Sequence, residues 1–155
     1  MSDPQFSPYI SFPGNAAEAF EYYQQIFGGE LNVMTYDDFG DTSGFPFQPP
    51  PGAVAHAQLH GGLVTLAGGD GMAAPNQDLS GLQSEVYSFL IGLDTQEAAH
   101  ELIEAVTSSD GHVGMPFELA PWGDHYGQVI DKFGVMWALV VTAQRRGDGQ
   151  AAAAE

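Results

Sequence analysis

The chain has no cysteine, which excludes disulfides, thiolate metal sites and a cysteine nucleophile. Lysine and arginine are scarce. Three basic residues stand against 20 acidic ones, a formal net charge of -17 over 155 residues. Binding to phosphate backbones or anionic lipid headgroups depends on such cations, so neither nucleic acid nor a membrane is an expected partner. No apolar run approaches the ~20 residues of a membrane span. Met1 to Pro8 lacks the basic and apolar regions of a signal peptide, so the expected location is cytoplasmic. A Ser-His-Asp order, a glycine-rich phosphate loop and zinc-ligand spacing are also missing. The acidic balance implies a highly soluble, self-repelling surface, and it permits a cationic ligand.

What is present is a pattern that occurs twice. Near the end, Gln128 to Ile130, a turn at Asp131 to Gly134, and Val135 to Val141 read as two strands joined tightly. A shorter version is Gln58 to Leu66, with Gly61-Gly62 in the turn. Tyr9 to Phe12 reads as a strand. Asn15 to Glu18 then has the form of a capping box, and Ala19, Tyr23, Ile26 and Phe27 make a helical face that ends at Gly28-Gly29. Asp94 to Glu97 repeats the box, and Ala98, Leu102, Ala105 and Val106 repeat the face, all at an offset of 79. One offset shared by cap and face supports a duplicated unit.

Further strands are predicted at Leu31 to Tyr36, Val54 to His60, Leu63 to Ala67, Val86 to Leu93, Val113 to Leu119 and Tyr126 to Asp131. Pro116 marks Val113 to Leu119 as an edge or a bulge. Tyr36 to Ala53 is a long loop with three consecutive prolines, suited to a lid or ordered flap. Gly68 to Glu85 reads as the connection between modules. The predicted organisation is an extension at 1–7, a domain at 8–142 built from modules 8–67 and 86–142, and a disordered tail at 143–155. Each module reads as strand, helix and three strands.

The ordered set Pro8-Tyr9-Ile10-Ser11-Phe12, Gly14-Asn15-Ala16, Tyr22-Tyr23, Phe27-Gly28-Gly29, Ala55-His56-Ala57, Trp122-Gly123, Tyr126-Gly127 and Asp131-Lys132-Phe133-Gly134 through Trp137 resembles the vicinal oxygen chelate superfamily. Within that superfamily of glyoxalases, bleomycin resistance proteins and dioxygenases, it is most similar to the PhnB-like branch. The resemblance implies an α+β fold in which two βαβββ modules form a curved eight-stranded mixed sheet around a cleft, and a homodimer. Metal-using relatives place ligands near the start of each module's first strand and in the strand after each turn. The matching positions here are Ser7, Ser88, Leu66 and Ala138, which are not ligands for zinc, iron or manganese. No cofactor is therefore expected. A divalent metal held through other residues such as His56, in a lyase, isomerase or dioxygenase, is the alternative. Some PhnB-like sequences carry a ubiquinone-pathway methyltransferase label, but this chain has no glycine-rich loop opening a helix in a parallel sheet.

Strand alternation assigns faces independently of the family. Ala55, Ala57 and Leu59 should meet a helix, leaving His56 and Gln58 toward a cleft. Tyr126 and Gln128 fall on the equivalent side at an offset of 70. Tyr9, Ser88, Leu90 and Met136 also face away from the helices, whereas Ile10, Phe12, Phe89, Ile91, Trp137 and Leu139 face them. The expected ligand contacts are thus Tyr9, His56, Gln58, Ser88, Tyr126 and Gln128, with Leu90, Met136 and Trp122 as apolar wall. His56 is the best candidate for a catalytic base, against the plainer reading of a histidine satisfied by its surroundings. His60 reads as an exposed turn residue, His100 as solvated and His112 as exposed. Asp124 and His125 are neighbours in a strand and should point apart. Asp131 reads as a structural turn acceptor, and Asp37-Asp38 as a solvated loop pair. The expected function is small-molecule binding, with sequestration of a cationic antibiotic as a special case.

Overall fold

The structure, a computed structural model, describes residues 6–41, 43–71, 84 and 86–143. The tail from Gln144 on and most of the expected inter-module connection lie outside these residues. The chain divides into two compact units, Met1–Gln83 and Ser84–Glu155. Among the described residues no helix is long and apolar enough to cross a membrane.

The first unit holds β1 (Tyr9–Phe12), α1 (Ala16–Phe27), β2 (Glu30–Thr35), a 3-10 turn at Tyr36–Phe39, β3 (Val54–His60) and β4 (Leu66–Asp70). Its sheet runs β1-β4-β3-β2, with β1 parallel to β4 and the other pairs antiparallel. The second unit holds β5 (Phe89–Gly92), α2 (Gln96–Thr107), β6 (His112–Leu119), β7 (His125–Ile130) and β8 (Met136–Val141). Its sheet runs β5-β8-β7-β6, again with a single parallel pair, β5 with β8. The eight strands thus fall into two four-stranded mixed sheets, each with one helix, and the α+β duplication is borne out.

Each helix packs on one face of its own sheet. Phe20, Tyr23 and Phe27 of α1 are buried, as are Phe12, Leu59 and Leu66 of the sheet, and Phe12 meets both Phe20 and Tyr23. Phe20 sits edge-on to Phe12 with ring centroids 5.9 Å apart. Burying each such side chain contributes about 1.5–3 kcal/mol. The buried face of α2 is Ala99, Leu102 and Val106, which stand at the predicted offset of 79 from Phe20, Tyr23 and Phe27. Ala98 and Ala105 are only half-buried, so the face is rotated slightly from the one predicted.

The helix starts differ from expectation. Asn15 makes no side-chain cap, and its buried side-chain oxygen Oδ1 has no hydrogen-bond partner among the described residues. Asp70, at the end of β4, supplies the acceptor instead. Its carboxylate takes the amides of Ala16 at 2.9 Å and Val54 at 2.8 Å. The cap of α1 is therefore a long-range contact that local spacing does not reveal. In the second unit the N-cap is Thr95, not Asp94, and its hydroxyl accepts from the Ala98 amide at 3.1 Å.

β4 lies three residues later than the predicted Leu63 to Ala67 and runs through Gly68-Gly69, which the sequence reading assigned to a connection. The reason is steric. A Cβ at Gly68 would collide with the Ile10 carbonyl and sit about 3.0 Å from the Phe20 ring. Glycine here lets helix and strand close together. β5 is likewise shorter than expected, starting at Phe89. β6 is an edge strand with register shifts either side of Met115, as Pro116 implied.

The turn after β7 is built on Asp131, which is only 3 % exposed. One carboxylate oxygen accepts from the amides of Phe133 (2.9 Å) and Val135 (3.1 Å), and the other from the Trp137 indole at 2.9 Å. Gly134 takes φ +94°, which L side chains rarely adopt. Asp131→Ala leaves three donors without this acceptor, two of them buried, and we expect a loss of about 3 kcal/mol in unfolding free energy. Asp131→Asn, which keeps an acceptor, should lose less. Urea unfolding followed by tryptophan emission checks this, and an unchanged midpoint in Asp131→Ala would contradict the turn's role.

Candidate functional site

With one helix per sheet, each sheet has a face that its own helix does not cover. In the first unit the register places Asn32, Gln58, Ala67 and Tyr9 in one row across that face, on β2, β3, β4 and β1. Met34 and His56 lie opposite one another in the adjoining row, and Glu30 and His60 on the other side. Ala57 and Leu59 point the other way and are buried, as alternation predicted.

Tyr9 is 56 % exposed, and its ring lies 6.2 Å from that of His56 in a stacked arrangement. Gly69 in β4 leaves room for it, since a Cβ there would come within 3.2 Å of the Tyr9 hydroxyl. The phenol is held above the ordinary tyrosine range, first by partial burial and then by the charge on nearby Tyr36. At the other end of β3, Gln58 and His60 join Phe6 and Thr65 around an open cavity of about 520 Å3. Asn32 Nδ2 lies 3.3 Å from His60 Nε2.

His60 is thus a correction. It closes β3 on the same face as His56 and Gln58 rather than standing alone in a turn. Asn32, Phe6 and Thr65 were not singled out in the sequence. The alternation His56, Gln58, His60, carried one strand further to Asn32, holds the signal for two of these four.

The loop from Tyr36 to Ala53 borders this face and has a small core of its own. Tyr36 packs edge-on against Phe45 and Phe47, whose rings stack 5.7 Å apart, and Phe39 joins them. Asp37 and Asp38 are exposed but are not merely solvated. Asp37 accepts from the Gly52 amide at 2.8 Å, and Asp38 from the Thr35 amide and hydroxyl. They close the loop's stem.

In the second unit the equivalent row is Met115, Gln128, Ala138 and Leu90. Tyr126 and Gln128 share this face and are hydrogen-bonded, with the Gln128 amide donating to the Tyr126 hydroxyl at 3.0 Å. Leu90 is 65 % exposed, and Met136 is half-buried. Ser88 is exposed just before β5, and Trp122 is exposed in the turn before β7. Trp137 is core, with its ring 5.4 Å from Phe89. His125 packs on Phe117 while Asp124 accepts from the Ala143 amide, so they form no acid-base pair. His100 is exposed on α2, as expected, and its ring also stands edge-on to Phe117 at 5.4 Å.

The two rows also correct one metal-ligand match. Gln58 pairs with Ala67, and Gln128 pairs with Ala138. The counterpart of Ala138 is therefore Ala67, whereas Leu66 pairs with Leu59 on the helix-facing side. The connection from Gln58 to Ala67 is one residue shorter than that from Gln128 to Ala138, and Ala67 stands five residues after Gly62 whereas Ala138 stands four after Gly134, which displaced the count. Neither alanine carries a donor. Among the described residues, no group of three or more His, Asp or Glu is placed to hold a metal ion. The site offers amide, imidazole, phenol and hydroxyl groups suited to hydrogen bonding.

Comparison with known proteins agrees with this architecture. A family profile described as 3-demethylubiquinone-9 3-methyltransferase matches residues 4–140. The chain belongs to this PhnB-like family. It is 29 % identical to Protein YjdN of Escherichia coli K12 over 149 residues, covering 90 % of this chain and 96 % of that one. The crystal structure of PA1353 from Pseudomonas aeruginosa is 30 % identical, with a TM-score of 0.71 over 90 % of this chain and 98 % of that one. A PhnB protein from Bacillus cereus aligns at 22 % identity and a TM-score of 0.66, over 90 % of this chain and all of that one. At 9 % identity and a TM-score of 0.52, over 89 % of this chain and 96 % of that one, a glyoxalase/bleomycin resistance protein/dioxygenase family enzyme from Burkholderia phytofirmans shares the fold. The PhnB-like assignment fits two mixed sheets of four strands.

The position of Tyr9 is open to a direct check. An ultraviolet difference titration of the parent chain against Tyr9→Phe should assign to Tyr9 an ionisation above that of ordinary tyrosines. Tyr36→Phe should bring it part of the way down, because burial is the larger cause. An ordinary Tyr9 titration would contradict its partly buried place at the sheet face.

Proposed function

We propose that the protein binds a small molecule on the helix-free sheet faces through hydrogen bonds and shape, without the metal centre of its metal-using relatives. The observation that carries this reading is the open cavity of about 520 Å3 in the first unit, whose wall includes Gln58 and His60. It lies within the volume range typical of ligand sites, and few convergent polar groups beside an aromatic ring is their usual composition. Tyr9 and His56 extend the polar contacts along the same face. In the second unit Tyr126 and Gln128 supply a hydrogen-bonded pair, with Leu90 and Met136 as apolar surface.

The donor chemistry supports a site without the family's metal. Serine at 7 and 88 and alanine at 67 and 138 offer neither imidazole nor carboxylate. Methyl transfer, which the family description names, finds no supporting feature. Each sheet contains a single parallel pair, and the β1 to α1 turn is Pro13-Gly14-Asn15 rather than a glycine-rich phosphate loop. His56 stands on the binding face as a hydrogen-bond partner.

A thermal-shift screen of neutral and cationic small molecules tests the reading, because a ligand selective for the native state raises the melting temperature. Gln58→Ala should weaken a hit about fivefold, the loss of one hydrogen bond, while the free protein's melting temperature stays near that of the parent. Elemental analysis of protein purified without chelator should find no stoichiometric divalent metal. One equivalent of metal that disappears in His56→Ala would overturn the metal-free reading. Hits indifferent to Gln58→Ala and His56→Ala alike would overturn the placement of the site.

A further inference from the structure

The cavity in the first unit has a built-in asymmetry. Asn32 presents its amide nitrogen to His60 Nε2 at 3.3 Å. An amide nitrogen only donates, so the imidazole nitrogen facing it must accept. The neutral ring then carries its proton on Nδ1, because the bond made at one nitrogen decides the state of the other. Asn32 and Gln58 are cross-strand partners, and Gln58 and His60 share one face of β3. Asn32 thus stands beside two of the residues that bound the cavity, on the same face of the sheet.

Charge narrows the occupant further. From Met1 to Gln83 the sequence contains no lysine and no arginine. A phosphate, phosphonate or carboxylate entering the cavity would meet an amide, a hydroxyl and an imidazole that accepts at Nε2, with no lysine or arginine of this unit to balance its charge. Bringing an anion out of water to such partners is costly. The Phe6 ring completes the wall and suits a flat group.

We infer that Asn32 is a positioning residue that holds His60 as the Nδ1–H tautomer, and that the subsite takes a flat, uncharged group bearing a hydrogen-bond acceptor such as a carbonyl. This rests on the binding role proposed above for the same face and names its ligand class. Asn32 acts through His60, so replacing it alters which ring nitrogen donates rather than removing a contact to the ligand.

Two measurements on the full chain test it separately. In ligand-free protein labelled at histidine ring nitrogens, long-range proton–nitrogen spectra above the histidine titration range report the tautomer directly. His60, assigned with His60→Gln, should be in the Nδ1–H form. Asn32→Asp, whose carboxylate only accepts, should convert it to the Nε2–H form, and Asn32→Ala should give a mixture. A parent His60 in the Nε2–H form, or a tautomer unmoved by Asn32→Asp, overturns the positioning role whatever the protein binds. The second measurement compares nicotinamide with nicotinate, which share a ring and differ in charge. Nicotinamide should perturb the Gln58 and His60 side-chain signals with at least about tenfold tighter binding. Equal or tighter binding of nicotinate, or no response to either, overturns the ligand class. The wider screen and the Gln58→Ala and His56→Ala variants decide the binding role independently.

Discussion

A sheet has two faces, and among the described residues each unit of this chain has one helix to cover them. That constraint orders everything else. Side chains alternate along a strand, so burying Ala57 and Leu59 under α1 obliges His56, Gln58 and His60 to face the other way. In the second unit, burying Val129 and Trp137 obliges Gln128 and Met136 to do the same. A slip of one residue would exchange the two sets. The aromatic packing of Phe12, Phe20 and Tyr23, which contributes several kcal/mol, therefore fixes the chemistry of the opposite face as well as the fold.

Carboxylates fasten this arrangement to its turns. Asp70 joins the start of α1 to the start of β3 by accepting one amide from each. Asp131 holds the turn before β8 and orients Trp137. Asp37 and Asp38 close the stem of the aromatic loop beside Tyr9. A chain with 20 acidic and 3 basic residues cannot pair most of its charges with each other. These carboxylates instead take hydrogen bonds from backbone amides and an indole, which are strong when the acceptor is ionised. The two helix-free faces also diverge in character. The row in the first unit is Asn32, Gln58, Ala67 and Tyr9, whereas that in the second is Met115, Gln128, Ala138 and Leu90. Duplication preserved the central glutamine and the alanine, and the flanking positions became polar in one copy and apolar in the other.

Much of this was legible in the sequence because it depends on local period. The strands Tyr9–Phe12 and Val54–His60, both helices, the bulged edge at Pro116 and the turn role of Asp131 follow from spacing and residue type alone. What escaped depends on contacts distant in sequence. Asn15 reads as a cap, but its side chain makes no cap bond, and the first amide of the helix, that of Ala16, goes to Asp70, 54 residues further along the chain. Gly68-Gly69 reads as a loop, but it is strand because the Phe20 ring occupies the space beside it. Leu66 matched a family ligand position by counting from the turn, and the ladder shows that Ala67 is the true counterpart of Ala138. His60 was set aside because glycines follow it, although its place in the alternation was already visible.

The polar face of the first sheet is proposed to receive a neutral small molecule. The most direct measurement is backbone amide chemical-shift mapping with the tightest ligand from a thermal-shift screen. The account predicts that the largest changes fall on β3 and β2 at His56, Gln58, His60 and Asn32, with the outer surface of α1 unmoved. Changes centred on α1, or spread evenly over the chain with no focus on β3, would contradict it.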